Sequence, residues 1–80
     1  MELVVTFHTH FGAMKLFKSL KGQGISARMV PVPRALSSDC GSCVRANYEG
    51  DPAELLTTDA EAVYMAANGG FTLLLREDQV

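Results

Sequence analysis

Eighty residues predict one small domain spanning 1–80 with a modest core, because short chains bury a smaller share of their surface than long ones. A hydrophobic share of 48% and a charged share of 20% fit a globular chain and exclude a disordered one. The net charge of -2 leaves no basic surface for neutralising phosphates, which argues against nucleic acid as a partner.

"LVVTFH" (3–8) is a β-branched, apolar run and predicts a first strand. Its period of two sets Leu3, Val5 and Phe7 on one face and Val4, Thr6 and His8 on the other. From Phe11 to Lys21 the period becomes helical: Ala13, Met14, Leu16, Phe17 and Leu20 form a stripe, with Lys15, Lys18 and Lys21 opposite. Thr9 supplies an N-cap oxygen, and "KGQG" (21–24) a cationic last turn and a stop. "ISARMV" (25–30) alternates again as a second strand, ended by Pro31 and Pro33, which remove ladder donors. "CVRANY" (43–48) reads as a third strand, with Val44, Ala46 and Tyr48 inward and Cys43, Arg45 and Asn47 outward. "DPAE" (51–54) and "TDAE" (58–61) both carry helix-start patterns. They predict either one helix or a turn followed by a helix, ended at "NGG". "FTLLLR" (71–76) is the last predicted strand, before a polar tail.

The predicted order, β-α-β-β-α-β, implies an α+β fold: a ferredoxin-like sandwich of one four-stranded antiparallel sheet with both helices on one face. In that arrangement the end of the first strand, the start of the first helix and the loop between strands two and three share an edge. "HTH" (8–10) would then lie beside "PVPRALSSDCGSC" (31–43), which holds both cysteines of the chain.

No apolar run approaches the ~20 residues that cross a bilayer. The N-terminus lacks the basic flank and small-residue cleavage site of a secretory signal. The expected setting is therefore the cytoplasm, with no membrane partner. There, thiols stay reduced, and C-x-x-C points to catalysis or metal rather than a staple.

A helix N-terminus, Arg34, and protonated His8 or His10 would each favour a thiolate at Cys40, and Cys43 could donate to it. Gly41 permits a sharp turn beside Cys40. Ser37 and Ser38 can hydrogen-bond within the loop. The carboxylate of Asp39 opposes the thiolate. Each feature also has a plainer reading. The cysteines can be small buried apolar residues, His8 a cross-strand polar residue, His10 a first-turn residue, and Arg34 a surface ion-pair partner. Two Cys and two His also suffice for a tetrahedral zinc module. The H-x-H and C-x-x-C spacing is not that of the common fingers, so no metal and no cofactor is expected.

At this loop "VPVPRALSSDCG" resembles the signature of the Putative Se/S carrier protein-like family, with Pro33, Arg34, Ser37, Cys40 and Gly41 at the matching positions. The likeness covers roughly residues 3 to 48, and includes "AM" (13–14) in the helix and Gly24-Ile25 before the second strand. Phe17 stands where the family often carries an acidic residue, and Cys43 lies outside the core motif. The resemblance implies a carrier or accessory protein rather than a self-sufficient enzyme. Cys40 would hold sulfur or selenium as a persulfide or perselenide between donor and acceptor proteins. Cys43 would resolve the adduct, and Arg34, His8 and His10 would tune the thiolate or bind an anionic group. The competing expectations are the zinc module and a ferredoxin-like interaction or regulatory homodimer, for which an apolar "FTLLL" edge would serve.

Overall fold

In the structure, a computed structural model, residues 1–79 are described. Strand β1 (Glu2–Phe7) leads into helix α1 (His10–Gly22), then β2 (Ala27–Pro31), β3 (Ser42–Asn47), a 3-10 turn (Pro52–Leu55), β4 (Ala60–Ala67), β5 (Gly70–Arg76) and a last 3-10 turn (Glu77–Gln79). The strands form one sheet in the order β2-β3-β1-β4-β5. Every neighbouring pair is antiparallel.

Two expectations are corrected. The sheet has five strands rather than four, and α1 is the one α-helix among the described residues, so the two-helix ferredoxin-like sandwich is not formed. The expected second helix is a single 3-10 turn followed by a strand. Asp51 caps that turn, accepting from the Ala53 N–H at 3.0 Å, so the start signal was real but the helix does not continue. "AEAVYMAA" forms β4 because it is paired on both sides, by β1 and β5, and tertiary pairing overrides the helical preference of alanine. "NGG" is a hairpin turn instead of a helix stop. Asn68 and Gly69 both sit at positive φ (54° and 76°), which Asn-Gly accommodates in a two-residue hairpin loop. Of the polar tail, Val80 lies outside the described residues.

Helix α1 appears where expected. Thr9 caps it, its Oγ1 accepting from the Gly12 N–H at 3.1 Å. Its buried face is Gly12, Ala13, Leu16 and Leu20. The Ala13, Leu16 and Leu20 side chains meet Leu3, Val5 and Phe7 of β1, Val44 and Ala46 of β3, and Val63 of β4 in one core. Antiparallel pairing on both sides of β1 makes β3 and β4 parallel to each other, so residues 48–59 must cross the sheet between them. A helix is not needed for this. Leu55 of the 3-10 turn is 2% exposed and joins the same core, filling the place the second helix was expected to take.

The face away from α1 carries no second layer among the described residues, yet Val4, Thr6 and Cys43 on it are buried. Arg45 lies across part of this face. Its Nε donates to Glu2 at 2.7 Å, and its guanidinium stacks over the Phe71 ring at 5.6 Å. The hydrogen bond from Arg45 holds the Glu2 carboxyl below its ordinary range. Strand β5 is an edge, with Leu73 and Leu74 exposed.

The first turn of α1 packs directly on the 58–59 turn. A Cβ built on Gly12 would fall 2.7 Å from the Thr58 carbonyl oxygen and 2.8 Å from Asp59 Cβ. Backbone on that side cannot yield as a flexible side chain would. Gly12→Ala is therefore expected to destabilise the fold by about 1–3 kcal/mol despite alanine's better helix propensity. Urea denaturation against Gly22→Ala, where a Cβ meets nothing within 4 Å, checks this.

Candidate functional site

The sheet order puts β1 and β2 parallel with β3 between them. The C-terminal end of β1, the start of α1 and the β2–β3 loop (32–41) therefore share one edge, as the sequence predicts. Ser38 Oγ donates to the Phe7 carbonyl at 2.5 Å, tying the loop to the last residue of β1. The Val32 N–H donates to the Gly41 carbonyl at 3.0 Å, and Gly41 has φ 74°, a conformation that glycine adopts without strain. The loop is thus closed at its base and anchored in its middle.

Cys40 is half-buried and packs against the core. Its Sγ donates to the Ser42 carbonyl at 3.2 Å and receives the Ser42 N–H at 3.4 Å. Ser38 Oγ lies 3.9 Å away.

Cys43 is placed differently. It is fully buried on β3, opposite Thr6 and Val30, on the face away from α1. Burial pushes its thiol pKa up, against the favourable field of Arg45. The two cysteines form no disulfide.

His8 is the most connected polar residue of the edge. Its Nδ1 lies 3.0 Å from Asp39 Oδ2 and 3.4 Å from Glu61 Oε2, and its Nε2 meets Glu77 Oε2. Hydrogen bonds to Asp39 and then Glu77 raise its pKa from 6.5 to about 9, since both partners favour the imidazolium. Asp39, expected to oppose a thiolate at Cys40, is thus engaged by His8. Thr9 Oγ1 also donates to Asp59 Oδ2 at 2.9 Å, and the His8 N–H to the Asp59 carbonyl at 2.7 Å.

Of the other residues singled out from sequence, His10 is exposed at the start of α1, and Arg34 and Ser37 are exposed in the loop. Arg34 makes no salt bridge among the described residues. The anchoring hydroxyl is that of Ser38. Nor do the cysteines and histidines assemble a zinc site among the described residues; the metal-ligating side chains that converge are His8, Asp39 and Glu61. Glu61 and Glu77 escaped sequence reasoning. Glu61 was read as part of a helix start, and Glu77 as tail. The Asn-Gly turn marks the β4–β5 hairpin and so the strand that carries Glu61, but not the bulge that aims its side chain.

Residues 2–62 match the Putative Se/S carrier protein-like family. The chain belongs to that family. The match takes in β1, α1, the Cys40 loop, β3 and the first residues of β4, and stops short of β5 and Glu77. No curated protein and no solved structure matches the chain. No helix among the described residues is long and apolar enough to cross a membrane.

The raised pKa of His8 has a consequence for stability. A group whose folded pKa exceeds its unfolded value stabilises fully below the unfolded value and ceases to do so as pH rises through the folded one. In chelator-treated protein, the contribution of His8 is present below pH 6.5 and lost towards about 9. An NMR titration of the two histidines should show His8 titrating near the upper value, and lower in Glu77→Gln and Asp39→Asn. A His8 midpoint at 6.5 in the native protein would refute the ion-pair geometry.

Proposed function

We propose that this chain carries sulfur or selenium on Cys40, taking the atom from one protein and passing it to another. The observation that supports this most directly is the placement of the family motif. Pro33, Arg34, Ser37, Cys40 and Gly41 lie on one loop anchored to the end of the central strand, and its cysteine is half-buried with a backbone N–H on its sulfur.

The transfer needs no external oxidant. The Cys40 thiolate attacks the outer sulfur of a donor persulfide, the donor's S–S bond breaks, and the donor leaves as a thiolate. Cys40 then holds the outer atom as a persulfide. An acceptor nucleophile attacks that same atom, and the electron pair of the broken bond returns to Cys40. Selenium follows the same scheme. Release through Cys43 would instead form a Cys40–Cys43 disulfide and free hydrosulfide, and this requires the start of β3 to open, because Cys43 is buried on the far face of the sheet. The burial of Cys43 favours direct transfer to the acceptor. Arg34, Ser37 and His10, exposed near the loop, are the residues we assign to meeting a partner protein. Such chemistry fits a reducing compartment such as the cytoplasm, with both cysteines as thiols.

A second reading, an interaction module that associates through its sheet edge, is supported by the exposed Leu73 and Leu74 of β5.

The carrier reading is tested by incubating reduced protein with glutathione persulfide or its selenium analogue and measuring intact mass. The expected result is one added chalcogen atom that is absent in Cys40→Ser, retained in Cys43→Ser, and removed by an acceptor thiol. Absence of an adduct on Cys40 with either donor would defeat the proposal.

A further inference from the structure

The cluster around His8 has features that the carrier chemistry does not use. Three carboxylates, from Asp39, Glu61 and Glu77, face one imidazole. With His8 neutral their summed charge is -3, and even a protonated His8 leaves -2. Arg76, next to Glu77, makes its salt bridge to Asp78, and Arg28 and Arg45 pair with Glu2 at the far end of β1.

Glu61 is the second feature. Its side chain is 20% exposed, and its Oε1 is buried with no hydrogen-bond partner. A buried carboxylate oxygen without a donor is costly, and a cation held by both oxygens of Glu61 would offset that cost. A proton on His8 does not supply the donor, since the imidazole nitrogens already face Asp39, the other Glu61 oxygen and Glu77. The backbone brings Glu61 here through a β-bulge. Thr6 pairs with Ala62 and Phe7 with Ala60, so Glu61 stands outside the ladder with its side chain re-aimed at the strand end.

We propose that His8 Nδ1, Asp39 and Glu61 form a binding site for a divalent transition-metal ion, with Glu77 holding the imidazole through its other nitrogen. The three ligand atoms lie within 4.8 Å of one another. Metal–nitrogen and metal–oxygen bonds of about 2.1 Å place neighbouring ligand atoms about 3.0 Å apart in an octahedral site and about 3.4 Å in a tetrahedral one. The observed separations from Nδ1 are 3.0 Å to Asp39 and 3.4 Å to Glu61. Glu77 on Nε2 completes the carboxylate–histidine arrangement that fixes the tautomer, directing the Nδ1 lone pair towards the other two carboxylates.

One imidazole with carboxylates suits Zn²⁺, Mn²⁺, Fe²⁺ or Co²⁺ better than the all-oxygen cations or a thiophilic Cu⁺. Asp39 is 73% exposed, so water completes the coordination sphere. The sulfur of Cys40 is directed to Ser42 and is not a ligand. The ion would bind the cysteine loop, through Asp39, to β4. The site does not depend on the carrier reading, and metal binding is measured independently of sulfur transfer.

The test uses the full chain, stripped with chelator and titrated with Zn²⁺, Mn²⁺ and Co²⁺ by calorimetry. One equivalent should bind, and the Co²⁺ form should show ligand-field bands without a thiolate charge-transfer band. Glu61→Gln and Asp39→Asn should each weaken binding by about tenfold or more, and Glu77→Gln by about 10- to 100-fold through the imidazole it orients. Cys40→Ser and Cys43→Ser should bind as the parent does. Asp39→Asn, at an exposed loop position, keeps the test decisive should a β4 variant misfold, and circular dichroism monitors each. Absence of saturable binding by all three ions overturns the site, as does undiminished binding in both Asp39→Asn and Glu61→Gln. A thiolate charge-transfer band lost in a cysteine variant overturns it in favour of sulfur ligation.

Discussion

The structure turns on how the central strand ends. Leu3 to Phe7 are buried on both faces of the sheet, so β1 leaves the core without solvent to receive its last polar groups. Each is received by a different part of the chain: the Phe7 carbonyl by Ser38, the His8 N–H by the Asp59 carbonyl. Buried backbone groups require such partners, and here the requirement joins the cysteine loop on one side to the approach of β4 on the other. Thr9 extends the joint by capping α1 and bonding Asp59. Gly12, with no side chain of its own, lets the first helical turn lie against that same 58–59 turn.

The first half of the chain was legible because its signals are local and agree. Alternation marks β1 and β2, a helical stripe with Thr9 as cap marks α1, and paired prolines end the second strand. The meeting of His8 with the cysteine loop followed from placing the third strand antiparallel between the first two, a part of the expected ferredoxin-like arrangement that the structure keeps. The second half misleads because its local signals point elsewhere. Asp51-Pro52 starts a turn that stops after Leu55, and the alanines of β4 prefer a helix until β1 and β5 pair with them. Asn68-Gly69 signals both a helix end and a hairpin, and the flanking apolar runs on both sides were what distinguished the two. Misreading β4 as a helix also hid Glu61, whose importance arises from a bulge that no period reveals.

The cysteine pair illustrates the same limit. C-x-x-C spacing suggests two sulfurs acting together, but the spacing spans the change from loop to strand. Cys40 belongs to the loop and packs towards the helical side of the sheet. Cys43 is already in register with Thr6 and Val30 on the other face. Alternation along a strand separates neighbours by face, and this separation sets the pair apart from a redox couple at a helix start, where both sulfurs lie on one surface.

In the proposed carrier role one atom would be presented to two partners in turn, and a flexible loop would lose conformational entropy at each encounter. The loop here is held at Val32–Gly41, at Ser38 and at Asp39, so most of that ordering is present before any partner arrives. The half-buried sulfur of Cys40 is engaged with Ser42, and under the proposed role it would bear the transferred atom. That atom, rather than the cysteine sulfur, would then be what a partner meets. Asp39 connects the two chemistries of the edge: its backbone leads into Cys40, while its carboxylate is committed to His8. Whatever occupies the His8 cluster, proton or the proposed metal ion, would therefore act on the cysteine loop through a single side chain.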